Sequence, residues 1–255
     1  AGATSTMLVV ADDGYKLHMF DADARRCNAT YLGPTYAGPI EKMEMFRSAA
    51  SKEHHMAYAS GEQIVGLVAM PLDGNPNKSM GLIAHPGRIA AMAVSYDGRK
   101  LVTAGGDGII NMWSISTTQL DLAATAATVK TTKWSELIAS SEGQEAFQEI
   151  LDYFFYAQIR SQGEDTTAPR EITGRIPVEA LPDVLKALGH YPSKADISAM
   201  LDEINAKATA ADRPAPTHID LEQFLSLYTN YRPVKGVVKD DIADAFRALS
   251  SSGGE

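Results

Sequence analysis

His85-Pro86-Gly87-Arg88-Ile89, continued by Ala90–Val94, Ser95-Tyr96-Asp97-Gly98, Leu101-Val102-Thr103-Ala104-Gly105-Gly106-Asp107-Gly108 and Ile109-Ile110-Asn111-Met112-Trp113, is the stretch that decides the architecture. Ile89, Ala91 and Ala93 alternate with their neighbours, as the residues of a half-buried strand do. Asp97-Gly98 is a hairpin signal, the strand pattern resumes at Leu101, and Asp107-Gly108 turns the chain into a third strand ending at Trp113. The pattern has two weaker copies upstream. Ala11-Asp12-Asp13-Gly14-Tyr15-Lys16-Leu17-His18-Met19-Phe20-Asp21 is one, and Met56 to Val68 is the other. Phe20 to Val68 spans 48 residues and Val68 to Trp113 spans 45, two near-equal steps close to the roughly 40–45 residues of one repeated small sheet.

These residues resemble the WD-repeat family, whose blades form β-propellers. In that family a His at the blade entrance, a Ser or Thr on the second strand, an Asp in the next turn and a Trp on the third strand form a buried hydrogen-bonded set; His85, Thr103, Asp107 and Trp113 occupy those places. The resemblance implies the last blades of a propeller over residues 1–116. One blade cannot bury its own faces and a propeller has typically 4–8 of them, so the expectation is a C-terminal piece of a longer protein, with the rest lying before Ala1.

His85, Thr103 and Asp107 also contain the residue types of a hydrolase triad, but mutual hydrogen bonding of buried polar groups explains them more simply. Cys27 has no basic or His partner pattern around it and is expected to be inert. His54-His55 reads as a loop pair without ligand spacing, and no GxxxxGK[ST] phosphate loop occurs. The expectation is therefore no enzyme, no catalytic residue, no cofactor and no metal.

Composition agrees. A single cysteine in 255 residues excludes a disulfide framework and favours a reducing compartment. No apolar run is long enough for a membrane helix and Ala1–Thr6 has no signal-peptide core, so the sequons at Asn28 and Asn77 read as chance matches. The net charge of −9 is uneven: residues 1–117 carry 10 basic and 11 acidic residues, and the remainder carry 13 and 21. An acidic C-terminal half suits a basic protein partner and not nucleic acid or an anionic membrane.

After Ser116 the pattern changes. The Thr- and Ala-rich residues 117–133 read as a linker, and beyond it the period becomes helical. Phe147, Ile150, Leu151, Phe154, Phe155 and Ile159 line one face. Val178, Leu181, Val184, Leu185 and Leu188 line a second helix that stops at Gly189, and Ser193 with Asp196 starts a third carrying Ile197, Met200, Leu201 and Ile204. A fourth runs over 220–228 and a fifth over 238–249.

Four helices paired around two loops look like a pair of EF-hands, and the expectation for residues 134–250 is an all-α, EF-hand-like lobe. Gly174 matches the sixth loop position, and Ile176 and Ile219 match the eighth positions that pair in a short two-stranded sheet. Calcium needs oxygen ligands at positions 1, 3, 5 and 9 and a bidentate Glu at 12. Those places hold Pro169, Glu171, Thr173, Pro177 and Ala180 in one loop, and Asp212, Pro214, Pro216, Asp220 and Gln223 in the other. The loops are degenerate and no metal site is expected. A constitutive groove would then hold a partner's helix, or be filled in cis by the fifth helix or by Trp134–Ile138.

The segments Phe147–Gln158, Ile159-Arg160-Ser161-Gln162-Gly163-Glu164-Asp165, Ile176-Pro177, Ala187-Leu188-Gly189-His190-Tyr191-Pro192-Ser193 and Asn230-Tyr231-Arg232-Pro233 resemble the C-terminal part of the ciliary and flagellar WD-repeat family of the calmodulin- and spoke-associated complex. That resemblance implies a non-catalytic structural adaptor of the axoneme that anchors or regulates radial spokes on doublet microtubules for motility. It implies as partners the other subunits of that complex, radial spoke proteins, calmodulin and the doublets. The alternative it leaves open is a calcium-responsive regulator, acting through the helical lobe or through bound calmodulin.

Overall fold

The computed structural model describes residues 6–122, 133–141, 143–163, 167, 169–235 and 239–251. Ten strands come first. β1 (Met7–Ala11), β2 (Lys16–Asp21) and β3 (Arg26–Leu32) form one antiparallel sheet. β4 (Ile40–Arg47), β5 (His54–Ser60), β6 (Ile64–Ala69) and β7 (Ser79–Ile83) form a second. β8 (Ile89–Val94), β9 (Lys100–Gly105) and β10 (Ile110–Ser114) form a third.

The two-residue period of a strand decides how the sheets stack. Met56 and Tyr58 on β5 face Leu17 of the first sheet, while the alternate residues Ala57 and Ala59 face Ile89 and Leu101 of the third. The middle sheet is thus buried on both faces, which is why β5 and β6 read as nearly continuous apolar runs. Tyr58 is fully buried, and its hydroxyl meets the Tyr36 hydroxyl at 3.0 Å and donates to the Met80 carbonyl at 3.2 Å.

The helical half contains α1 (Trp134–Ser141), α2 (Gln144–Arg160), β11 (Arg175–Pro177), α3 (Leu181–Ala187), α4 (Lys194–Ala210), β12 (His218–Asp220), α5 (Leu221–Tyr231) and α6 (Lys239–Ser251). Its core joins Ile138, Ile150, Phe154, Leu185, Met200 and Phe224, among others. β11 and β12 pair with Ile176 opposite Ile219, both fully buried. α3 ends in a Schellman arrangement: His190 N–H donates to Leu185 O, Gly189 N–H to Lys186 O, and Gly189 takes φ +79°, which glycine adopts without a Cβ penalty. α4 starts at a capping box in which Ser193 and Asp196 each bond the other's backbone N–H.

The expected architecture, a WD-repeat propeller followed by an EF-hand-like domain, is overturned. Among the described residues three small sheets stand side by side and no ring closes. The helices are not an all-α body set apart either, because α4 and α5 lie against β3. A strand edge left open presents unpaired amides, and in this chain the helices cover that edge.

Smaller corrections follow the same logic. His54 and His55 start strand β5 and are not in a loop. Residues 118–122, read as linker, are helical, with Leu120 buried in the core of the second and third sheets; residues 123–132 lie outside the described residues. The chain around Val178 is a 3-10 turn entered from β11, and α3 begins only at Leu181. α1 fills the lobe in cis: Ile138 is in the core, Trp134 packs on it, and Glu222 accepts from Trp134 N–H at 2.6 Å and Ser135 Oγ–H at 2.6 Å. Ile242 and Phe246 of α6 are 50% and 67% exposed.

Candidate functional site

Three constellations of polar side chains stand out. The first joins the residues singled out in the sequence. His85 is buried between β7 and β8, with Nε2 2.8 Å from the Thr103 hydroxyl and Nδ1 3.4 Å from Asp107 Oδ2. Trp113 Nε1–H donates to the same Thr103 oxygen at 2.9 Å. The Ile109 N–H on Asp107 holds that carboxyl below the usual carboxylate range, and His85 adds to the effect. Thr103 is fully buried and its hydroxyl is shared between a ring nitrogen and an indole, so the set pins β8, β9 and β10 together.

Two analogous sets were not foreseen from the sequence. His18 lies 3.0 Å from the Thr30 hydroxyl and 2.9 Å from Asp12. His55, buried and stacked on Phe46, lies 2.8 Å from Asp121, whose other oxygen accepts from Thr117 at 2.7 Å; the Thr117 hydroxyl meets Ser48 at 2.7 Å. This second set straps residues 117–122 onto the middle sheet. Cys27 lies on β3, its thiol 3.4 Å from the Ala29 carbonyl.

The two loops that precede the short strands β11 and β12, expected from the sequence to be degenerate EF-hand loops, form the second constellation. Gln223 spends its side chain on the helix start: its Oε1 accepts from Asp220 N–H at 3.1 Å, and Asp220 Oδ1 accepts from Gln223 N–H at 2.9 Å. Gly174 follows Thr173, and the buried Gln158 amide, oriented with its oxygen toward the loop, accepts the Gly174 N–H at 2.8 Å. Among the described residues no group of three or more His, Cys, Asp or Glu could hold a metal ion.

The third constellation is the seam between β3 and the helices, and sequence reasoning missed it. Glu203 of α4 is 1% exposed. Its carboxylate accepts from Thr30 N–H at 3.2 Å, from the Tyr231 hydroxyl at 3.0 Å and from Lys207 Nζ at 2.6 Å. Two residues along β3, Leu32 N–H donates to Asn230 Oδ1 of α5 at 2.9 Å. Lys16, almost buried on β2, donates to the Arg232 carbonyl at the end of α5 at 2.6 Å. Gly74, at φ +79°, sits so close to Asn230 Oδ1 that a side chain there would collide with it. The seam therefore ties the lobe to the first two sheets. A signal did exist: Glu203 falls three residues after Met200 and one before Ile204, a charge on the buried stripe of α4.

The seam perturbs its own ionisations. Burial, then the Glu203 carboxylate, push the Tyr31 phenol up to about 12, and the same two causes raise Tyr231. Burial pushes the Lys16 ammonium down to about 8, with Asp12 opposing and Arg232 assisting. Between pH 8 and 10 the unfolded chain thus holds the Lys16 proton while the folded chain releases it, so the Lys16 contribution to stability rises with pH across this window, while Tyr31 and Tyr231, which keep their protons as the unfolded phenols begin to lose theirs, oppose it toward pH 10. At about 1.4 kcal/mol per pKa unit, the Lys16 part is about 2 kcal/mol. Urea unfolding at pH 8 and pH 10 should show the wild type gaining about 2 kcal/mol relative to Lys16→Met; an equal change in both proteins would rule out Lys16 as its source.

Comparison with known proteins adds a family. Residues 145–255 match the family described as the CFAP251 C-terminal domain. The chain is 32% identical over 254 residues to cilia- and flagella-associated protein 251 of Tetrahymena thermophila, covering 96% of this chain and 25% of that protein. It is 35% identical over 251 residues to the Mus musculus protein of the same name, covering 97% of this chain and 19% of the relative. The chain thus spans a fifth to a quarter of the length of these curated relatives. Among solved structures, a chain in the crystal structure of the Chaetomium thermophilum polycomb repressive complex 2 is similar at a TM-score of 0.36 and 19% identity, over 45% of this chain and 23% of that one. A likeness that low carries no argument.

Proposed function

We propose, from the premise that this chain belongs to the cilia- and flagella-associated protein 251 family and is a protein of cilia and flagella, that it is a non-catalytic structural adaptor of the axoneme. In this reading it anchors radial spokes on doublet microtubules and works beside the other subunits of a calmodulin- and spoke-associated complex. The observation that supports it best is the seam. An adaptor must hold two binding surfaces at a fixed angle, and the buried Glu203, Asn230 and Lys16 side chains join the sheets to the helices through backbone groups of β3 and the Arg232 carbonyl at the end of α5. The three histidine sets act to the same end, since each spends its polar groups on neighbouring strands and turns.

The test is genetic and structural. In a ciliated cell whose family member is shortened to lack the region equivalent to residues 1–255, electron tomography of the axoneme should show missing or displaced radial spokes, with impaired beating. A full, regularly spaced set of spokes would overturn the reading.

A further inference from the structure

His190 lies in the turn from α3 to α4, where the lobe meets β2. Its ring is 8% exposed, and among the described residues its Nδ1 is buried without a hydrogen-bond partner. A neutral imidazole tolerates that arrangement, because a nitrogen without a proton forfeits only one accepted bond. An imidazolium does not: both ring nitrogens then carry protons, and the one on Nδ1 is held away from water with nothing to receive it. The charges that face the ring come from three elements: Asp196 on α4, Lys16 on β2 and Arg232 just beyond α5. Asp196 favours the charged ring, but its Oδ2 already accepts the Ser193 N–H at 2.9 Å and the Ser193 hydroxyl at 2.7 Å. Lys16, a cation below about pH 8, holds the Arg232 carbonyl at 2.6 Å as one of the seam's own bonds. A positive charge on His190 therefore pushes against a member of the seam.

We propose that His190 is an acid-sensitive latch on the seam: a second ring proton parts the α3–α4 turn from β2 and loosens the helices on β3, while the sheets keep their own cores. Burial is the largest cause holding the imidazole below its ordinary 6.5; Asp196 opposes it, and Lys16 and Arg232 assist it. As the pH falls below 6.5 the unfolded chain takes up the proton before the folded chain does. The latch is thus fully closed above 6.5 and weakens as the pH falls from there through the lower folded value. Opening is confined to the seam because the groups that a charged His190 repels belong to it, whereas the middle sheet is held by apolar cores on both faces. The acid response belongs to the joint itself and holds whatever the lobe is anchored to.

The experiment is amide hydrogen exchange of the full chain at pH 7.5 and pH 5.5, corrected for the intrinsic exchange rate, together with an NMR titration of the His190 ring. The Thr30 and Leu32 amides, which bond Glu203 and Asn230 across the seam, should lose at least about threefold in protection at pH 5.5 relative to the Ala57 and Val65 amides of the middle sheet. In His190→Phe, whose ring has no nitrogen to protonate, that relative loss should fall to less than half. The wild-type ring should titrate below 6.5, a readout that needs no variant to fold. An equal acid response in His190→Phe, a ring that titrates at or above 6.5, or an equal loss at all four amides would each overturn the proposal.

Discussion

Gly66→Ala costs the chain at least about 3 kcal/mol of stability, the upper end of what overpacking a core produces. Gly66 lies on β6 in the middle sheet, opposite Gly81 on β7 and Tyr58 on β5. A Cβ built on it would stand well inside contact distance of both the Met80 carbonyl oxygen and the Tyr58 ring. A flexible side chain could swing aside, but neither obstacle here is free to move. Met80 O is backbone and holds the Tyr58 hydroxyl, which also meets Tyr36. Relief therefore requires β6 and β7 to separate or the buried ring to leave the core between the first two sheets. Urea unfolding followed by tyrosine fluorescence measures the loss. Gly87→Ala, where nothing lies within 4 Å of the added atom, is the matched control and should shift the midpoint negligibly. Equal midpoints for the two variants would show that the sheet yields easily at β6.

Glu203→Ala is the second large effect, about 3–5 kcal/mol, the range for removing one member of a buried charged network. The truncation leaves Thr30 N–H and the Tyr231 hydroxyl buried and unpaired, each costing about 1–3 kcal/mol, and releases Lys207. Glu203→Gln keeps one acceptor oxygen and should lose less than half as much. Hydrogen exchange distinguishes this from general destabilisation: the Thr30 amide should lose protection first, ahead of the Ala57 and Val65 amides of the middle sheet. Uniform loss across all three sheets would mean that Glu203 stabilises the whole chain and not the seam. Tyr231 offers a second readout, because its phenol should ionise at lower pH once the carboxylate is gone.

What the sequence disclosed and what it withheld divide along range. Strands and turns within a sheet are local: Asp97-Gly98 and Asp107-Gly108 were readable as the turns between β8, β9 and β10, and the 3.6-residue stripes located α2, α4 and α5. The pairing of Ile176 with Ile219 came from loop counting alone. Ring closure is a different kind of property. It depends on how many sheets pack and what covers the outermost edges, and a repeat spacing of 45–48 residues encodes neither. The seam was hidden for a related reason. Thr30 and Glu203 are 173 positions apart, and a side chain that bonds a backbone N–H imposes no residue type on its partner, so β3 bears no mark of the helix that covers it. His55 illustrates the same limit, since nothing near it in the chain announces Asp121.

The Glu203 and Asn230 bonds reach β3 at Thr30 and Leu32, two positions apart on one strand. A force that drags the lobe along that strand loads both bonds at once, in shear, together with the Lys16 bond to the end of α5. Bonds loaded side by side share the load and yield only together, whereas a pull perpendicular to the strand peels them one after another. The joint is thus stiff in one direction and weak in another.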